Sequence, residues 1–155
     1  SVSDIKSASL NHAATEYGAT VLNGDDIYSA DVDIFAPCAL GAILNTENIN
    51  SLKCDIIAGA ANNQLANEEE HGMLIKEKGL LYAPDFLINA GGLINVYSEY
   101  IGYNRENAMR DTEKIYDTTV KIYDLADAQN IHTQKAATLL AQKRIDDMLG
   151  VHSTF

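Results

Sequence analysis

Apolar residues in this chain fall first into short runs and later into long periodic stretches. Residues 1–4, 19–22, 32–36, 54–59 and 80–83 each carry a few apolar side chains with little polar alternation. Such runs suit strands covered on both faces. Helical stretches separate them. Residues 5–17 read as a first helix, capped by Ser3 or Asp4 and ended by Gly18. Residues 25–29 read as a helical turn after Asn23, residues 43–52 as loop and short helix, and residues 68–78 as a helix ended by Gly79. Strands alternating with helices predict βαβ units and a parallel sheet with helices on both faces. The carboxyl ends of such strands open on one crevice, where ligands bind. The last third is different. Residues 86–100 read as one long apolar helix, followed by a polar turn at 102–105. Ala108, Thr112, Ile115, Tyr116, Thr119, Val120 and Tyr123 recur at three- and four-residue steps, predicting a long amphipathic helix closed by Asn130. Residues 134–149 repeat the pattern with Ala137, Leu140, Ala141, Ile145 and Met148.

The chain has 155 residues, 46% of them hydrophobic and 21% charged, which suits one domain with a core. Its net charge of −11 argues against a nucleic-acid or anionic-membrane partner. No apolar stretch is long enough to span a membrane, and residues 1–9 do not resemble a signal peptide. A cytoplasmic protein is expected. Cys38 and Cys54 could form one disulfide, but burial preference and compartment favour reading them as buried free thiols. His12, His71, His132 and His152 show no metal-binding spacing. Glu68, Glu69, Glu70 and His71 read as a solvated first helical turn, and Asp146 and Asp147 as facing water.

Three strand-to-loop junctions are built alike: residues 35–41, FAPCALG; residues 58–65, AGAANNQL; and residues 83–96, APDFLINAGGLINV. Each puts small or uncharged polar residues just after an apolar run. Adjacent glycines weaken a helix by roughly 1 kcal/mol each relative to alanine. Gly91 and Gly92 therefore suggest close approach by a ligand or another backbone. Together the junctions predict one site along one edge of the sheet.

These segments, with His71–Gly72 and GYNRE from Gly102, resemble the nucleotide-binding domain of the Glu/Leu/Phe/Val (amino-acid) dehydrogenases, and within it the leucine dehydrogenase group. The resemblance implies an α/β fold: a Rossmann-type doubly wound parallel sheet followed by long C-terminal helices. It also implies an incomplete one, because the first strand and its glycine fingerprint do not occur here. Residues 1–155 then form a partial dinucleotide-binding domain, without the family's N-terminal substrate domain and its catalytic lysines and aspartate. A sheet lacking its first strand is expected to self-associate or rearrange, which suggests a homo-oligomer.

The cofactor implied is NAD. By resemblance, Asp4 accepts hydrogen bonds from the adenosine ribose, where a carboxylate disfavours a 2′-phosphate; read from sequence alone, it caps the first helix. Cys38 and Ala39 resemble residues lining the cofactor, with Cys38 a contact residue and not a nucleophile. Asn62 and Asn63 resemble groups holding the nicotinamide ribose and the substrate. One of the two is expected to cap or turn and the other to enter the cleft. Asn89, Ala90, Gly91 and Gly92 resemble the segment beside the nicotinamide. Leu93 and Val96 resemble side-chain pocket positions, and their apolar character implies an aliphatic substrate; the bland alternative is two core residues at i, i+3 spacing. No lysine lies in a glycine-rich or apolar setting, so no catalytic residue is expected in this chain. The reaction implied for the parent is oxidative deamination of a leucine-like L-amino acid to a 2-oxo acid and ammonia. The competing expectation is a truncated, inactive module serving oligomerisation or scaffolding.

Overall fold

The computed structural model describes residues 1–152, with side chains described to residue 150. Its centre is a parallel sheet of β1 (Ile34–Phe35), β2 (Ile56–Ile57) and β3 (Leu81–Tyr82), in the order β1-β2-β3. Ile34 and Phe35 lie beside Ile56 and Ile57, which lie beside Leu81 and Tyr82. Three of the five expected strands are thus present, each two residues long. The residue on each strand that packs into the core is Phe35, Ile57 or Tyr82. A second parallel pairing, Val2 with Val21, stands apart from this sheet. Residues 1–4 and 19–22 therefore meet in a single bridge, and neither forms a full strand.

The helices are α1 (Ser7–Tyr17), α2 (Thr46–Ser51), α3 (Glu68–Glu77), α4 (Asp85–Ile88), α5 (Gly91–Ile101), α6 (Arg105–Gln129) and α7 (Thr133–His152), with a 3-10 turn at Gly24–Ser29. Local chemistry explains most of their ends. Gly18 (φ 65°) and Asn130 (φ 54°) close α1 and α6 in the left-handed conformation. The side chains of Asn45, Asn67 and Asn104 accept a backbone N–H from Asn48, Glu70 and Asn107, capping α2, α3 and α6. The cap of α3 is thus Asn67, not Asn62 or Asn63. At α1, the Asp4 carboxylate accepts the Lys6 N–H at 2.7 Å, one residue before the helix proper.

Leu44, Ile49, Leu52 and Ile75 pack with the inward strand residues into one core. Ile122, Ala126, Ala136 and Ala137 form a second core, which joins α6 to α7, with Leu87 of α4 against it. On α6 Ala108, Ile122 and Ala126 are buried and Thr112, Ile115, Thr119 and Tyr123 half-buried, so the expected stripe is present; only its edge at Tyr116 and Val120 is exposed. On α7, Ala137 is buried, whereas Ile145 and Met148 are exposed.

The expected single helix over residues 86–100 is two helices. Asn89 (φ −92°, ψ 3°) ends α4, and α5 restarts at Gly91. Asn and the two glycines are poor helix formers, and α4 has only one turn to hold its direction. His71 is buried and not solvated. Its Nδ1 accepts the Asn67 N–H at 2.8 Å and its Nε2 lies 3.3 Å from Thr46 Oγ1. Glu69, at the exposed start of α3, meets Lys135 at 3.1 Å and His132 at 3.5 Å. Asp146 and Asp147 are exposed as expected. No described helix is long and apolar enough to cross a membrane.

Candidate functional site

The carboxyl ends of β1, β2 and β3 run into the three glycine- and asparagine-bearing corners, and those corners interlock. Between the first two, Ala61 N–H donates to Pro37 O at 3.0 Å, and Ala60 N–H lies 3.5 Å from Cys38 Sγ. Ala42 N–H donates to Asn63 O at 2.7 Å. These contacts need glycine at position 59, where a Cβ would stand 2.1 Å from Pro37 O. Between the second and third corners, Asn89 Nδ2 donates to Asn62 Oδ1 at 2.5 Å and reaches Ala60 O at 3.4 Å. Ala60 therefore touches both neighbours and makes the three corners one surface.

Two hollows lie on this surface. In one, Asp4, Cys38 and Ala39 line a cavity of about 340 Å³ with Ile5, Tyr28 and Leu40. The same three residues border a slot of about 370 Å³ between residues 1–4 and residues 34–36. In the other, Asn62, Asn89, Ala90 and Leu93 line a cleft of about 440 Å³ with Ala60 and Phe86. Asn62 Nδ2 and Asn89 Oδ1 make no hydrogen bond within the described residues. The pair thus offers a ligand one donor and one acceptor, without charge.

Other candidates stand outside these linings. Asn63 (φ 52°) is the turning residue of the pair, and its side chain does not border the Asn62–Asn89 cleft. Gly92 and Val96 lie further along α5, both exposed, and Val96 does not border the cleft as Leu93 does. A Cβ at Gly92 would meet nothing within 4 Å, and one at Gly91 would meet only Thr112 Cγ2 at 3.6 Å. Packing within the described residues therefore does not demand either glycine. Cys38 is exposed, contrary to the expectation of two buried thiols, because its corner opens into the hollow. Cys54 is buried, and that burial pushes its thiol upward, away from the reactive thiolate. No lysine borders either hollow. Among the described residues no cluster of His, Cys, Asp or Glu could hold a metal ion; the His152 side chain lies outside them.

Sequence reasoning missed Asp85 and Gln64. Asp85 is 5% exposed and accepts the Gln64 N–H at 2.9 Å. Gln64 is fully buried and donates to Gly59 O and Ala61 O, bracing the middle corner from beneath. Burial, assisted by the Asp85 carboxylate, pushes the neighbouring Tyr82 phenol well above its ordinary range, so it stays a neutral core group.

A parallel sheet with helices, whose strand ends carry interlocked corners and two hollows, defines an α/β domain of Rossmann-like type. The Glutamate/Leucine/Phenylalanine/Valine dehydrogenase family profile matches residues 2–150, and the chain belongs to that family. It is 53% identical over 146 residues to L-tryptophan dehydrogenase of Nostoc punctiforme, covering 94% of this chain and 41% of the relative. It is 50% identical over 154 residues to leucine dehydrogenase of Thermoactinomyces intermedius, covering 99% and 42%. The crystal structure of L-tryptophan dehydrogenase from Nostoc punctiforme superposes with a TM-score of 0.90 at 51% identity, over 94% of this chain and 44% of that one. A hetero-hexameric glutamate dehydrogenase from Thermus thermophilus, at 19% identity and a TM-score of 0.70 over 90% of this chain and 36% of that one, shares the fold. The chain thus spans about two fifths of the length of these relatives.

Proposed function

We propose that this chain forms part of an NAD-dependent L-amino-acid dehydrogenase that deaminates leucine-like aliphatic substrates to 2-oxo acids and ammonia. The observation that carries the reading is the joined trough: Asp4 and Cys38 in one hollow, the Asn62–Asn89 pair in the other, with Ala60 between them. A dinucleotide has two ends of different chemistry, and the residues present suit both. Asp4 is an exposed carboxylate able to accept from ribose hydroxyls. Cys38 and Ala39 are small enough to let a ligand lie against backbone. The Asn62–Asn89 pair offers the donor and acceptor that a carboxamide such as nicotinamide requires. When bound, the dinucleotide supplies the hydride acceptor.

The chain's own residues bind and orient. Asn62 and Asn89 would hold the nicotinamide end of the dinucleotide and orient it toward the substrate. Gly92 leaves space over α5, Leu93 supplies the apolar wall of the cleft, and Val96 extends it a turn beyond. Asn63 shapes the turn beside Asn62, and a substrate contact from its side chain would be made outside the Asn62–Asn89 cleft. Neither wall residue is a cation, which suits an uncharged side chain. Proton transfer belongs to groups beyond these 155 residues, and the assembled enzyme is a cytoplasmic homo-oligomer.

The test is NADH formation by the full-length protein with a panel of L-amino acids. Leucine, valine and isoleucine should be oxidised well, glutamate poorly, and the 155-residue chain alone should show no turnover. A full-length protein that forms no NADH from any of them refutes the reading. Because a tryptophan dehydrogenase is among the similar proteins, tryptophan and phenylalanine belong in the panel; preference for either would overturn the aliphatic assignment alone.

A further inference from the structure

Asp85 is a buried carboxylate with no cation paired to it among the described residues. Burying such a group is costly unless hydrogen bonds compensate. Its compensation comes from two corners at once. Oδ1 accepts the Phe86 N–H at 2.7 Å, at the start of α4. Oδ2 accepts the Gln64 N–H at 2.9 Å, directly after the left-handed Asn63. Its main-chain carbonyl accepts the Asn89 N–H at 3.1 Å. That last bond is the i→i+4 bond of α4, which any residue at 85 would make; the carboxylate itself ties the first turn of the helix that ends at Asn89 to a backbone group two positions from Asn62. A local helix-start role would require only the Phe86 bond.

Resting on the functional reading above, we propose that Asp85 is a positioning residue for the Asn62–Asn89 pair. It sets the separation and orientation of the two carboxamides, and through them the placement of nicotinamide and substrate. It touches neither and takes no proton in the reaction.

Asp85→Ser separates this role from a local one. A serine hydroxyl can still accept from Phe86 N–H but is too short to span to Gln64. In the full-length protein, Asp85→Ser is expected to lower kcat/KM for the amino acid about tenfold or more, the loss of one hydrogen bond to a charged group. Affinity for ADP-ribose, which lacks nicotinamide, should change less than twofold. In an Asn89→Ala background, where the pair is already broken, Asp85→Ser should cost less than a further twofold. Should Asp85→Ser fail to fold, Asp85→Asn keeps the volume and sets an NH2 against one of the two N–H groups, and the same pattern is expected. The proposal is overturned by wild-type constants in either folded variant. It is equally overturned by losses that multiply fully in the Asn89→Ala background, or by an equal fall in ADP-ribose affinity. A wild-type protein without dehydrogenase activity refutes the functional reading and this proposal with it; an active wild type beside an equally active Asp85→Ser refutes this proposal alone.

Discussion

Replacing Gly59 by alanine tests whether the first two corners are in forced contact. The added Cβ would lie 2.1 Å from Pro37 O, 2.3 Å from Pro37 N and 2.5 Å from Pro37 Cδ. All three are main-chain or ring atoms, so no rotamer change relieves the clash. Ordinary carbon contact begins near 3.5 Å, so the corner at Pro37 must move by about an ångström. That movement disrupts the 3.0 Å bond from Ala61 N–H to Pro37 O, and it pulls Cys38 from Ala60 N–H. Overpacking costs about 1–3 kcal/mol and the lost backbone bond about 1 kcal/mol. Alanine's smaller unfolded-state entropy returns less than about 1 kcal/mol. The net expectation is a loss of ~3 kcal/mol, a large share of the roughly 5–15 kcal/mol that holds a typical protein folded. Urea unfolding should show a lower midpoint with an unchanged slope. A Gly59→Ala midpoint equal to wild type would refute the close approach of the two corners, and with it the joined trough.

Gly92→Ala should behave oppositely. With nothing within 4 Å of the new methyl, the protein should gain up to about 1 kcal/mol in urea unfolding while losing NAD-dependent turnover; unchanged turnover would remove the case that this glycine serves a ligand. At Asn63 (φ 52°), Asn63→Gly should keep stability within about 0.5 kcal/mol, whereas Asn63→Val should cost ~1 kcal/mol or more. If Asn63→Gly retains full kcat/KM, its side chain has no substrate role. Glu69 is held below its ordinary value by Lys135 first and His132 second. Its contribution is therefore complete above the unfolded value of about 4.3 and disappears as pH falls through the lower folded value. The difference in Tm between wild type and Glu69→Gln should shrink from pH 6 to pH 3, and a difference that grows toward acid contradicts the assignment.

Element order and most helix ends were legible because their determinants are local. Gly18 and Asn130 are the residue types that tolerate a left-handed backbone, and each lies directly after a helical stretch. What misled was periodicity without partners. Tyr116 and Val120 continue the apolar spacing on α6, yet α7 packs along the side marked by Ile122 and Ala126. Spacing defines a stripe but not which edge of it a neighbour will cover. His71 was misjudged for a related reason. Three acids before it suggest water, but a helical turn rotates each residue by about 100°, so His71 faces Thr46 while Glu69 faces Lys135.

The site divides along the same line. Residue type at the strand-to-loop junctions marked the three segments, and the family resemblance named Asn62, Asn89 and Cys38 within them. Asp85 carried no such signal: an acid following proline at a helix start is what the helix dipole alone would favour. Its second partner, Gln64, is 21 positions away in sequence, and only parallel strand order brings β2 and β3 ends together. The break at Asn89 has a comparable effect on the wall residues. Leu93 and Val96 share a face by their i, i+3 spacing, but α5 begins afresh at Gly91 and carries Val96 a turn beyond the cleft that Leu93 borders. A side chain so placed can act on a substrate only if the opposing wall is supplied from outside these described residues. The exposed apolar face of Leu93, Val96 and Tyr97 is where that wall would close. On the proposed reading, substrate size is therefore set jointly by α5 and by whatever packs over it. Enlarging Leu93 should alter specificity more sharply than enlarging Val96.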